Sequence, residues 1–99
     1  MGYIRSEEMN KLFETILKLD NIEECYSFFE DICTIKEMQD MAQRLSVAVL
    51  LDKGENYQKI SQDVSVSTAT ISRVSKCLRY GSGGYRLALD KMKQGEGQA

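Results

Sequence analysis

Apolar side chains along this 99-residue chain recur at steps of three and four, with no sustained alternation of period two. That spacing lays a stripe along a helix and predicts an all-α fold. The first stripe runs through Met9, Leu12, Phe13, Ile16, Leu17 and Leu19, and opens with Ser6 and the acids Glu7 and Glu8. A serine oxygen can cap the free N–H groups there, and carboxylates favour the positive end of the helix dipole. Asn21 with Glu24 predicts the start of a second helix, lined by Cys25, Phe28, Phe29 and Ile32. Thr34 with Glu37 repeats the device for a third, carrying Met38, Met41, Leu45, Ala48, Val49, Leu50 and Leu51. Gly54 is placed to end it in left-handed backbone. From cap to stop it spans about 18 residues, the longest helix and the central strut of the fold.

Three such helices carry more apolar surface than so short a chain can cover alone. Burial across a dimer interface is the expected outlet, supplied by residues 6–55.

After Glu55 the period changes. In "YQKISQDVSVSTATISRVSK" (57–76) the apolar positions are Ile60, Val64, Val66, Ile71 and Val74, at steps of four, two, five and three. One amphipathic helix does not give that pattern, but two short helices crossing through a tight turn do. Ile60 and Val64 face inward from the first helix, Val66 fills the corner, and Ile71 and Val74 face inward from the second. Ser61 is small where the second helix passes close. Ser65 stands where such a turn commonly carries glycine in left-handed backbone. "GSGG" at 81–84 is a further hinge, followed by a helix from Tyr85 to about Lys93 and a flexible tail over 94–99. The expected organisation is one helical domain over residues 1–93, with a helix-turn-helix at 57–80.

Charge sharpens this picture. The chain carries −2 overall, yet residues 1–55 hold six Lys/Arg against twelve Asp/Glu, a net of −6. Residues 56–99 hold seven against three, a net of +4, which points the second half at a polyanion. The second helix of the pair starts at Ser67 as N-cap and turns Thr68, Ala69, Ser72, Arg73, Lys76 and Arg79 outward. Short side chains let a backbone sit deep in a major groove, where hydroxyls and Ala69 reach base edges and thymine methyls. Arg73, Lys76 and Arg79 suit guanine edges or phosphates, and the helix start itself attracts a phosphate. Gln58 and Lys59 open the preceding helix, where a helix-turn-helix commonly touches the DNA backbone.

Other chemistry is thin. There is no histidine, and Cys25, Cys33 and Cys77 form no C-x-x-C pair. The usual zinc ligand sets and the His-based dyads are therefore missing, and neither a metal, a cofactor nor an enzymatic activity is expected. The cysteines read as free, partly buried thiols of a reducing compartment. A thiol sensor at Cys77, next to Lys76, is the alternative. No apolar run nears the roughly 18 residues that span a bilayer, and the first ten residues lack a signal-peptide layout. A cytoplasmic protein without a membrane partner is expected, although Gly2 and Ser6 fit the short myristoylation pattern.

The string "MAQRLSVAVLLDKGE", then "NYQKISQDVSVSTATISRVSKCLRYG" with "TATISR" at its centre, then "YGSGGYRLAL", resembles the Trp repressor family. It looks closest to the YerC/YecD-type members, over Thr34 to Met92. The resemblance implies a six-helix all-α fold, an intertwined homodimer, and repression of transcription at a palindromic operator. It also implies a ligand site between the long helix and the recognition helix, at positions matching Thr34, Arg44, Thr70 and Arg73. Val74 stands where that family has glycine beside the indole, and Cys77 replaces a serine. A branched side chain fills the volume an indole needs, so tryptophan is not expected as corepressor. Thr34, Arg44, Thr70, Arg73 and Cys77 stay candidates for another small effector, with Arg44 and Arg73 clamping an anion. In the competing arrangement Arg44 pairs with Asp40 and Arg73 holds a DNA phosphate. Two other functions stand beside the DNA-binding one: a helical protein-interaction module, and an effector-dependent sensor of the same fold.

Overall fold

A computed structural model describes residues 5–97, with side chains as far as Gly95; Gly2, and with it the myristoylation pattern, lies outside them. The secondary structure among the described residues is six helices and no strand. They are α1 (Glu7–Leu17), α2 (Ile22–Ile32), α3 (Ile35–Asp52), α4 (Tyr57–Val64), α5 (Thr68–Tyr80) and α6 (Gly84–Gly97).

Local chemistry sets most of these boundaries. Ser6 Oγ accepts from Met9 N at 3.1 Å to start α1. Asn21 Oδ1 accepts from Glu24 N at 2.9 Å to start α2, and Glu24 Oε1 reaches back to Asp20 N at 2.8 Å. At α3 the box is reciprocal: Glu37 N donates to Thr34 Oγ1 at 3.1 Å and Thr34 N donates to Glu37 Oε1 at 2.8 Å. The far end of α3 closes as Gly54 predicts. Its φ is +88°, and Gly54 N and Glu55 N donate to the carbonyls of Leu51 and Leu50 at 3.0 and 3.1 Å.

The last helix differs from expectation. It starts at Gly84 and continues to Gly97, past Lys93 and into residues expected to be a flexible tail. No proline blocks it, and a glycine inside a helix costs only about 1 kcal/mol.

The chain divides into two compact units, residues 1–38 and 39–99. In the first, neither α1 nor α2 contains a buried residue. Leu17, Ile22 and Ile35 are each more than 70 % exposed, and Phe13, Tyr26 and Ile32 are exposed as well. The second unit has a dry core: Val47 and Ala48 of α3, Ile60 of α4, Ile71 and Val74 of α5, and Leu89 of α6. Each is at most 3 % exposed. Val49, Leu50, Leu51, Val64, Val66, Leu78 and Tyr85 pack around them, half-buried.

Candidate nucleic-acid interface

Helices α4 and α5 pack against each other, joined by the three residues Ser65, Val66 and Ser67. Ile60 from α4 and Ile71 and Val74 from α5 meet in the core, which fixes how the pair crosses. Val64 and Val66 are half-buried at its edge rather than wholly inside. Ser65 adopts φ 59°, ψ 47°, the left-handed backbone that the turn requires, in spite of its Cβ. Ser61 does more than stay small: its hydroxyl donates to the Val66 carbonyl at 2.6 Å, tying α4 to the turn. Asn56 caps α4 by accepting from Lys59 N at 2.8 Å. Ser67 caps α5 by accepting from Thr70 N at 3.2 Å.

With the inner face fixed, the outer face follows. Thr68, Ala69, Ser72, Arg73, Lys76 and Arg79 are all exposed along α5, and Ser67, Gln58 and Lys59 are exposed at the starts of α5 and α4. The expected contact residues therefore lie on α5 and on the first turn of α4. From Val64 to Leu89 the sequence contains no Asp or Glu. Arg73, Lys76 and Arg79 have no carboxylate partner among the described residues. Lys59 is partly neutralised, its Nζ lying 3.4 Å from Glu55 Oε2.

Two of the three cations of α6, Arg86 and Lys93, are spent differently. Arg86 Nη2 and Lys93 Nζ both lie 2.7 Å from the Asp52 carboxylate at the end of α3. Arg86 Nη1 also lies 3.3 Å from Asp90. Hydrogen bonds from Arg86 and then Lys93 hold the Asp52 carboxyl below its ordinary value, against a smaller opposing effect of burial. The bracket joins α3 to α6, whereas the three cations of α5 stay uncompensated, as does Lys91 of α6 among the described residues. Nothing in local sequence spacing announces it, because Asp52 and Arg86 are 34 positions apart.

The candidate effector residues are scattered in character. Thr34 belongs to the first unit and is already occupied with Glu37. Arg44 is half-buried on α3, Thr70 is half-buried on α5, and Arg73 and Cys77 are exposed. Arg44 makes no ion pair among the described residues, so the Asp40 pairing is not formed. Val74 is 1 % exposed and packed among Ile60, Ile71 and Leu89, filling the inner side of α5. The expectation of partly buried thiols holds for Cys25 and Cys33 but not for Cys77, which is exposed. One turn beyond Arg73, it falls at the border where α5 turns from core to solvent. Among the described residues no helix is long and apolar enough to cross a membrane, and no group of Cys, Asp and Glu could hold a metal ion.

Comparison with known proteins agrees with this arrangement. The family model of the Trp repressor protein matches residues 7–93. The uncharacterised protein YerC of Bacillus subtilis (strain 168) is 52 % identical over 93 residues, covering 94 % of this chain and 89 % of its own. A crystal structure of a candidate Trp repressor from Staphylococcus aureus superposes with a TM-score of 0.88 at 45 % identity, over 92 % of this chain and 91 % of that one. A TrpR-like protein of Eubacterium eligens ATCC 27750 gives 0.90 at 38 % identity, over 94 % and 96 %.

Proposed function

The chain belongs to the Trp repressor family, and on that premise we propose that it is a cytoplasmic, homodimeric repressor of transcription that reads a palindromic DNA operator. One recognition helix from each protomer enters the major groove, at half-sites about 34 Å apart. Thr68, Ala69 and Ser72 read base edges near the start of α5. Arg73, Lys76 and Arg79 take guanine edges or phosphates, and Gln58, Lys59 and Ser67 hold the backbone.

The observation that carries this reading is the distribution of unpaired charge. Three exposed cations of α5 face solvent with no acidic partner among the described residues, whereas Arg86 and Lys93 are held by Asp52. A protein-interaction module would present an apolar face there instead. The second copy is supported by the apolar residues of α1 and α2, which are left in water in a single chain. Tryptophan has no part in the proposal, because Val74 already packs the inner side of α5. The Arg44 and Arg73 guanidinium groups leave another anionic effector as the family-related variant.

Selection from random oligonucleotides at moderate salt tests the function. The full chain enriches a two-fold symmetric sequence, and the double variant Arg73→Ala/Lys76→Ala loses duplex retention while remaining dimeric. A dimer that enriches no sequence rules the reading out. An increase in melting temperature with a carboxylate in a thermal-shift screen brings in the effector-dependent variant.

A further inference from the structure

Along the outer face of α5, Ala69, Arg73, Lys76 and Tyr80 follow at steps of four, three and four. That repeat keeps four side chains in line on a helix. All four are exposed, opposite the buried Ile71, Val74 and Ser75, and Tyr80 is 80 % exposed. A lone exposed aromatic asks for no explanation, but this one extends a cationic stripe.

Tyr80 is also the last helical residue, and the chain leaves α5 abruptly after it. Gly81 N donates to the Cys77 carbonyl at 2.8 Å. A Cβ at Gly81 would come within 2.4 Å of that same oxygen, so this exit accepts only glycine. Between Val64 and Leu89 there is no carboxylate to compete for the phenol hydroxyl or to repel a phosphate.

Thr68 and Tyr80 are twelve positions apart, about 18 Å along the axis. The major groove is only about 8.5 Å deep. A helix whose first turn meets base edges therefore carries its far end out to the lip of the groove, where sugar and phosphate lie. We propose that Tyr80 is a DNA-backbone contact, its hydroxyl donating to a phosphate oxygen at the groove rim; the assignment rests on the DNA-binding reading above. The contact is made by a neutral donor, so it fixes the tilt of α5 without displacing a counterion.

Tyr80→Phe tests it, because the ring stays and only an exposed hydroxyl is lost. Binding of the full chain is measured across a salt series, to the enriched duplex and to a random-sequence duplex. Light scattering and thermal midpoint check that dimer and fold are intact. Tyr80→Phe weakens both duplexes by the same factor, roughly three- to tenfold, from the loss of one hydrogen bond. The slope of log affinity against log salt stays at the wild-type value, whereas Lys76→Ala flattens it by about one counterion per contact. Wild-type affinity in Tyr80→Phe alongside a weakened Lys76→Ala overturns the Tyr80 assignment alone. Loss confined to the enriched duplex makes Tyr80 a base reader and overturns the rim contact. A wild-type chain that retains no duplex overturns both this assignment and the reading beneath it.

Discussion

In residues 39–99 six apolar side chains from four helices are almost wholly withdrawn from water, whereas α1 and α2 of residues 1–38 bury none. Their local signals are equally good: Ser6, Asn21 and Thr34 cap the first three helices as well as Asn56 and Ser67 cap α4 and α5. Charge separates them too. The first unit holds four basic against nine acidic residues, a net of −5, and the second nine against six, a net of +3. Capping thus says where a helix begins but not which surface its apolar stripe will meet. Helices of 11 residues are marginal by themselves in water, so α1 and α2 need a packing partner to persist. The second unit finds its partner within the chain, and the first is proposed to find it in a second copy.

The sharpest way to break the comparison is a cavity in the unit that has a core. Ile71 is fully buried. Ile71→Ala removes contacts that the rigid surroundings cannot replace and costs about 2 to 5 kcal/mol, read from urea or thermal unfolding. That is a large share of the stability of a small domain, and the orientation of α5 goes with it. A change below about 0.5 kcal/mol, the range of ordinary surface substitutions, would mean this core does not hold α5.

Leu17→Glu probes the other unit. At 83 % exposure the side chain reads as a surface residue whose replacement changes stability by no more than about 0.5 kcal/mol. If a second copy covers α1, a carboxylate there must be desolvated without a partner, at a cost of about 2 kcal/mol or more. The dimer then dissociates at least about tenfold more readily in sedimentation equilibrium. An unchanged dimer removes α1 from the interface.

The same contrast explains what could be read from the sequence. The helix-turn-helix was legible because its steps of four, two, five and three are local: Ile60, Ile71 and Val74 are its buried apolar residues, with Val64 and Val66 half-buried at the edge. Ser65 takes the left-handed backbone that its position required, so a missing glycine was weak counter-information. Contacts made between distant positions were not legible. The hydroxyl of Ser61 on the Val66 carbonyl depends on how closely α5 crosses α4, and Asp52 with Arg86 and Lys93 depends on where α6 returns to α3. The exposure of Cys77 required the register of the α5 core to be known first. Tyr80 was not legible either, because an aromatic at a helix end reads equally well as core until Gly81 turns the chain away.

The smallest expected effect falls on the Asp52 bracket, which sharpens the account of how the second unit holds itself together. The folded-state pKa of Asp52 lies below the ordinary 3.8 because its ionised form is bonded by Arg86 and Lys93. A depressed carboxyl contributes stability above its unfolded-state value and loses it as pH falls through the folded-state value. Wild type and Asp52→Asn should therefore differ in thermal midpoint by a constant, modest gap at neutral and mildly acidic pH, and the gap should close below about pH 4. Arg86 and Lys93 keep 44 % and 60 % of their side-chain surface exposed, so water already screens the pair and added salt should narrow the same gap. Hydrogen exchange would then locate the loss: amides of α6 open first in Asp52→Asn, while those of α4 and α5, held by Ile60, Ile71 and Val74, stay protected. Uniform loss of protection across α4, α5 and α6 would instead make the bracket part of the core's own cooperativity rather than a latch on its last helix.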